Sequence, residues 1–364
     1  MPKKVLINLL NFRPGQIGGA ETYVRKVVSN LQTAGGDIEY QLLLTKHGDV
    51  GWEGLELEKH LLDTSDILLK VKRFLEATSF YRANSIARKI KSISPDLVWY
   101  PQQSIFPKSP RYKSILTTVD FQHLRFPRNF SVAERCFRNR IYPWSLHNTD
   151  LIISISQQTK DEITYHYGIE AEKIRVIHLG YEGTDFELEP IDSLNGSEFF
   201  YCPAATYPHK NHEALVRSVA ALAEQGKWKG KIVLTGEKTA LWHSHKNLMR
   251  ELGVSSLFEH LGFLPFGQAQ WLMSKAKCVL FPSLYEGFGM PIIEAARFNT
   301  PLLASDLPIY DELGLPQENR IDFSDATSLI NALETVKSPK LSVVPKDWTQ
   351  VAGEHEALFR ELLA

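Results

Sequence analysis

Two glutamates with seven residues between them bracket the stretch Glu286-Gly287-Phe288-Gly289-Met290-Pro291-Ile292-Ile293-Glu294. The apolar run Cys278 to Phe281 just before it reads as a buried parallel strand. Gly287 and Gly289 permit positive φ and allow a ligand close to the backbone. Pro291 fits the first turn of a helix that continues through Ile292, Ile293, Ala295 and Ala296. A strand, a glycine loop and a helix start in one line expose backbone N–H groups at a positive helix end, suited to a phosphate or a polyhydroxylated ligand. A carboxylate repels phosphate, so the two glutamates are read as acceptors for hydroxyl groups.

Three other segments carry chemistry-bearing residues. Gly18-Gly19-Ala20-Glu21 opens a helix, and its consecutive glycines present N–H donors suited to a phosphate oxygen. No Gly-x-Gly-x-x-Gly is present there, which argues against a dinucleotide dehydrogenase. Lys210, in Pro208-His209-Lys210-Asn211, precedes a helix and places a point charge where a pyrophosphate would leave. In the loop Thr118 to Pro127, Asp120 and His123 follow an apolar strand. Either is a candidate for accepting a hydroxyl proton or holding a sugar hydroxyl, and Asp120 alternatively orients His123.

The Glu-x7-Glu spacing around Gly-Phe-Gly-Met-Pro resembles the signature of retaining glycosyltransferases of family 4, with the GT-B fold. That resemblance implies an α/β protein of two Rossmann-like domains facing each other across a cleft, with a C-terminal helix crossing back to the first domain. It implies that Glu286 holds the donor sugar and Glu294 the ribose, with Gly287, Phe288, Gly289 and Met290 lining the donor site. Gly18 and Gly19 would lie near the donor diphosphate, Glu21 would face the acceptor, and Gly236 of Thr235-Gly236-Glu237 would lie near the nucleotide. Leu264-Pro265 resembles the segment whose backbone recognises the base. Two departures stand out: Ala205 replaces an arginine common in the family, leaving His209, Arg217 or another basic residue to compensate, and Val119 replaces a histidine. No Asp-x-Asp follows a first-domain strand, so no metal and no cofactor is expected beyond a nucleotide-sugar co-substrate, GDP- or UDP-linked. The implied reaction moves a hexose, of mannosyl or deoxyhexosyl type, to a glycan or a polyprenyl-pyrophosphate-linked acceptor in bacterial surface polysaccharide synthesis. A nucleotide-sugar epimerase or hydrolase, or a non-catalytic glycan- or lipid-binding protein, is the alternative.

These residues need elements to hold them at strand ends. The chain of 364 residues is long enough for two cores. Strand and helix patterns alternate: strands at 5–11, 40–44, 97–100, 115–119, 151–154 and 174–177, and helices at 20–31, 156–167 and one long stretch near 67–92. Periodicity lapses over 179–197, the linker candidate, then resumes with strands at 199–202, 231–235, 258–261, 278–281 and 302–304. Helices follow at 211–223, 240–252 and 349–363. Residues 1–180 with 348–364 are expected to form an acceptor-binding domain, and 181–347 a nucleotide-sugar-binding one. Open α/β sheets bind ligands beyond the carboxyl ends of their strands, and all four chemical segments follow strands.

Composition narrows the rest. Cys136, Cys202 and Cys278 lack metal-ligand spacing, and their buried settings at 202 and 278 suit reduced thiols. No secretory leader or membrane span is read, so a cytoplasmic location is expected, at the inner face of the membrane if the acceptor is lipid-linked. The formal net charge is −1, yet the segment from Lys70 to Arg140 holds fifteen lysines and arginines against four acids. That surplus is a solvated face or a patch attracted to anionic lipid or a pyrophosphate-bearing acceptor. Nothing in it matches a nucleic-acid recognition motif.

Overall fold

The computed structural model describes residues 2–15, 19–33, 36–77, 85–108, 111–182, 186–342 and 344–364. They form two compact units, Met1–Glu182 with Lys346–Ala364, and Gly183–Pro345.

The first unit holds a seven-stranded sheet of β1 (Lys3–Asn8), β2 (Ile38–Thr45), β3 (Glu58–Leu62), β4 (Leu97–Tyr100), β5 (Lys113–Thr118), β6 (Leu151–Ser154) and β7 (Ile174–Val176). Its order is β3-β2-β1-β4-β5-β6-β7, and every pairing is parallel. Strands β4 and β6 are buried along their whole length, as apolar runs covered on both faces must be. The helix Gly19–Thr33 buries Tyr23, Val24, Val27, Val28 and Leu31, the one-face spacing of an amphipathic helix.

The second unit repeats the plan with β8 (Phe199–Pro203), β9 (Lys231–Thr235), β10 (Phe258–Gly262), β11 (Cys278–Phe281), β12 (Leu302–Ser305) and β13 (Arg320–Ile321). The order is β10-β9-β8-β11-β12-β13, again parallel. In each sheet the chain leaves one central strand in opposite directions: between β1 and β4 in the first, between β8 and β11 in the second. A crevice opens at the carboxyl ends at such a point, where loops diverge to opposite faces.

The C-terminal helix Trp348–Leu363 belongs to the first unit and starts from a capping box of Asp347 and Gln350. Its buried His355 accepts or donates at Nε2 to the Tyr23 hydroxyl, 2.7 Å away, and Tyr23 also meets Thr117 Oγ1 at 3.1 Å. Phe359 is fully buried, with ring centroids 5.6 Å from Trp99 and 6.4 Å from Tyr40. The chain terminus thus completes the first core.

The structure departs from the sequence reading in three places. Helices run over Asp66–Ala77 and Ser85–Ile93, where one long helix was expected, with 78–84 outside the described residues. Strand β3, Glu-Lys-His-Leu-Leu, is an edge strand too polar to show a buried pattern. The seventeen-residue helix Val132–Asn148 was not anticipated, although Ser131 and Glu134 form a full capping box at its start. Its basic composition and internal Pro143 hid it.

Phe359→Ala should destabilise the protein by about 3–5 kcal/mol in urea unfolding, since a buried ring leaves a cavity; a change near zero would remove the terminal helix from the core. Burial pulls His355 down to about 4 and His212 to about 3. Both are neutral when folded, whereas the unfolded chain protonates near the ordinary histidine value of about 6.5. Their contribution is therefore complete above that value and is lost as pH falls toward 4. Urea midpoints should drop across this window, and a level profile would contradict the burial.

Candidate functional site

Lys210 and Glu286 meet at the divergence point of the second sheet. Lys210 leaves the loop after β8 and Glu286 the loop after β11, with Lys210 Nζ 2.5 Å from Glu286 Oε1. Their side chains are 18% and 12% exposed. The ammonium also lies 5.3 Å from the centroid of the Phe281 ring. Asn211, at φ 55°, turns the chain from this loop into the helix His212–Glu224. The two loops are tied by Leu284 N–H donating to His209 O at 2.7 Å.

Neighbouring strand ends join the same rim. Thr206 N–H donates to Glu237 O at 3.0 Å, and Gly236 N–H donates to Gly262 O at 2.8 Å. Gly236 takes φ +102°, and a Cβ there would lie 2.7 Å from the Ala205 backbone nitrogen. Only glycine allows that approach. Gly236 thus holds the loops after β8, β9 and β10 together.

Past Glu286 the chain turns on Gly289, at φ +103°, into the helix Met290–Arg297 with Pro291 in its first turn. Of the two glycines, it is Gly289 that takes positive φ. Phe288 is buried and anchors the loop, while Met290 is half-buried at the helix start. Glu294 faces inward from this helix and accepts from Gln270 Nε2 at 3.2 Å. Burial raises its pKa, opposed by the Gln270 hydrogen bond and the Arg297 charge. The structure therefore brings Glu286, Lys210, Gly289, Met290 and Glu294 together within one unit.

Three participants were missed in the sequence. The Tyr310 ring is fully buried against Gly289, where a Cβ would come within 3.2 Å of it, and its hydroxyl has no hydrogen-bond partner among the described residues. Burial, and then the Glu286 charge, push that hydroxyl well above its ordinary value. Ser283 Oγ is likewise buried without a partner among them. Gln270 sits on the helix after β10. Tyr310 and Gln270 stand on other helices and reach the site through the sheet, whereas Ser283 lies in the same loop as Glu286. Of the residues named as substitutes for the missing arginine, Arg217 pairs with Glu213 at 2.7 Å on an exposed helix face, and burial pulls His209 down to about 3.

In the first unit Gly18 lies outside the described residues. Gly19 begins its helix with open space where a Cβ would stand. Glu21 accepts from Gly15 N–H at 2.7 Å and from Arg25 Nε at 2.9 Å. Arg25 in turn donates to Val50 O and Gly51 O and lies 4.9 Å from the centroids of both Phe12 and Trp52. Glu21 thus fastens the loop after β1. Asp120 is half-buried after β5, where its Oδ1 accepts from Gln122 N–H at 3.2 Å. His123 is 2% exposed among Phe121, Phe130 and Tyr142, and burial, with Arg138 and His166, pulls it down to about 4. Its ring nitrogens have no partner among the described residues. Among those residues no group of three or more His, Cys, Asp or Glu is placed to hold a metal. No helix among them is long and apolar enough to cross a membrane.

Comparison with known proteins decides the family. The profile described as "Glycosyl transferases group 1" matches residues 185–344, and "Glycosyltransferase Family 4" matches 17–182. The chain belongs to glycosyltransferase family 4. Its fold is GT-B: a sucrose-phosphate synthase from Thermosynechococcus elongatus superposes with TM-score 0.72 at 17% identity, covering 99% of both chains. Anabaena Alr3699/HepE, solved with UDP and glucose, superposes with TM-score 0.66 at 16% identity, covering 99% of this chain and 100% of that one. Among curated family members, the O-antigen chain mannosyltransferase RfbU of Salmonella typhimurium strain LT2 is 25% identical over 198 residues, 54% of this chain and 53% of that protein. The O-antigen chain mannosyltransferase B of Escherichia coli is 24% identical over 181 residues, 46% of each. The chain spans about half the length of these curated relatives.

Gly236→Ala should cost about 1–3 kcal/mol in urea unfolding, because positive φ and a close backbone both oppose a side chain. Unchanged stability would contradict the tie between the strand-end loops.

Proposed function

We propose that this chain is a retaining glycosyltransferase that moves a hexose, with mannose the first choice, from a nucleotide sugar to a glycan or polyprenyl-pyrophosphate-linked acceptor of bacterial surface polysaccharide. The observation that carries the reading is the Lys210–Glu286 pair at the divergence point of the second sheet, with Glu294 on the helix that follows Glu286. The O-antigen mannosyltransferase relatives support the sugar and the pathway class, and the neighbour solved with UDP and glucose supports the donor class.

In this mechanism the donor diphosphate takes the Lys210 ammonium from Glu286. Backbone N–H groups around Gly289 and the first turn of its helix add a positive field. Freed of its partner, Glu286 accepts hydrogen bonds from sugar hydroxyls, and Glu294 accepts from the ribose. As the bond from C1 to the diphosphate oxygen breaks, negative charge grows on that oxygen, and Lys210 stabilises it where it develops. The acceptor oxygen attacks C1 from the face the diphosphate leaves. Its proton passes to the departing phosphate, so configuration is retained without an enzyme nucleophile. Asp120 remains the candidate for orienting the acceptor hydroxyl, with His123 packed beneath its loop. Gly19 and Glu21 are the first unit's candidates for serving diphosphate and acceptor, and Gly236 holds the loop proposed to receive the nucleotide.

Lys210→Ala should lower kcat by about 10²–10³ with a smaller change in KM, the signature of a charge used in the transition state. Equal turnover would overturn the assignment. Glu294→Gln should weaken donor binding by about tenfold or more, the loss of a hydrogen bond to a charged acceptor. Because burial raises the Glu294 pKa, donor affinity of the native protein should fall on acidification with a midpoint above the ordinary carboxylate range. Calorimetry of the Gln variant should lack that inflection, and its persistence would place the titration elsewhere.

A further inference from the structure

Tyr310 stands on the helix Ile309–Leu313 that follows β12, and its side chain is fully buried. Its hydroxyl meets no hydrogen-bond partner among the described residues. A buried unpaired hydroxyl is costly, and folded proteins keep few of them. The residue has little freedom to escape that state by shifting. Its N–H donates to Leu307 O at 3.0 Å, and its carbonyl accepts from Leu315 N–H at 2.9 Å.

The hydroxyl end of the ring faces the Glu286 loop. A Cβ on Gly289 would come within 3.2 Å of Tyr310 Cε1, the ring carbon next to the one that bears the hydroxyl. The Phe281 ring centroid lies 6.4 Å from that of Tyr310 and 5.3 Å from Lys210 Nζ. Two charges act on the hydroxyl: the Glu286 carboxylate raises its pKa and Arg320 lowers it. Arg320 pairs with Asp311 at 2.6 Å and donates to Leu315 O at 2.6 Å. A guanidinium has no acceptor to offer, so of the two only the carboxylate can receive the phenolic O–H.

In the free protein Lys210 Nζ sits 2.5 Å from Glu286 Oε1. A diphosphate that draws the ammonium away takes a counter-charge from a covered carboxylate, a costly change. A hydrogen bond to the charged form keeps a carboxylate ionised. Two carboxylate oxygens leave room for such a bond beside those to a sugar.

We propose that Tyr310 is a positioning residue that takes over Glu286 from Lys210 as the donor binds, its hydroxyl donating to the carboxylate and aiming it at the sugar. The inference rests on the roles given to Lys210 and Glu286 in the proposed function. It accounts for an unpaired hydroxyl kept beside them.

Tyr310→Phe keeps the ring and removes only the hydroxyl. Its urea midpoint should equal or exceed that of the native protein, because an unpaired group is lost. In a Lys210→Ala background the same change should lower the midpoint, because Tyr310 then serves Glu286 in the free protein. Calorimetry with UDP and GDP is the second measurement. Whichever of them binds the native protein should bind Tyr310→Phe more weakly by about tenfold or more, the loss of a hydrogen bond to a charged group. KM for the matching nucleotide sugar should rise by a similar factor, with a smaller change in kcat. A lowered midpoint in Tyr310→Phe alone would show the hydroxyl already partnered in the free protein and overturn the proposal. So would a midpoint that does not fall in the Lys210→Ala background, or native nucleotide affinity in Tyr310→Phe. If the native protein binds neither nucleotide, the proposed function falls, and the two urea comparisons still decide the link between Tyr310 and Glu286.

Discussion

Opposite charges brought out of water need each other, and the loops of the second unit are arranged around one such need. Lys210 and Glu286 are mostly covered by protein, and neither has its bulk hydration to fall back on. Their pairing fixes the loop after β8 against the loop after β11, and the His209–Leu284 hydrogen bond fixes the backbones that carry them. A ligand that separates the pair must satisfy both halves. A diphosphate offers the anion that Lys210 loses, and a sugar offers the hydroxyls that Glu286 then accepts. On the proposed function, a ligand carrying only one of these would leave a covered charge without a partner in the ligand.

On the proposed function, this arrangement accounts for a carboxylate beside the loops offered to a diphosphate. In the free protein Glu286 holds the lysine in place and neutral overall, and the raised pKa of Glu294 reflects a second carboxylate held in poorly hydrated surroundings. The rim built from Gly236, Ala205 and Thr206 is the stiff support behind them, since its close backbone contacts leave little room to shift.

Much of this was legible in the sequence because it rests on local grammar. Strands 151–154, 231–235 and 278–281 coincide with their apolar runs, and Gly289-Met290-Pro291 announces a helix start. Glu286, Glu294 and Lys210 could be named since each sits within a short motif after a strand. Tyr310 and Gln270 could not, because they stand on separate helices that only the sheet brings to this loop, while Ser283, three residues before Glu286, carries no motif of its own. The helix at Val132 was missed for another reason: its capping box is a clear signal, but an arginine-rich sequence with exposed apolar positions has weak periodicity. The sequence also could not show that the His123 ring stands among three aromatic neighbours, since two of them come from later segments.

The central claim is that the ion pair opens to receive a nucleotide sugar, and a crystal structure of the protein with a bound nucleoside diphosphate and sugar tests it most directly. The account predicts Lys210 Nζ within hydrogen-bonding distance of a diphosphate oxygen, Glu286 on sugar hydroxyls and Glu294 on the ribose. A diphosphate bound elsewhere, with Lys210 still on Glu286, would contradict it.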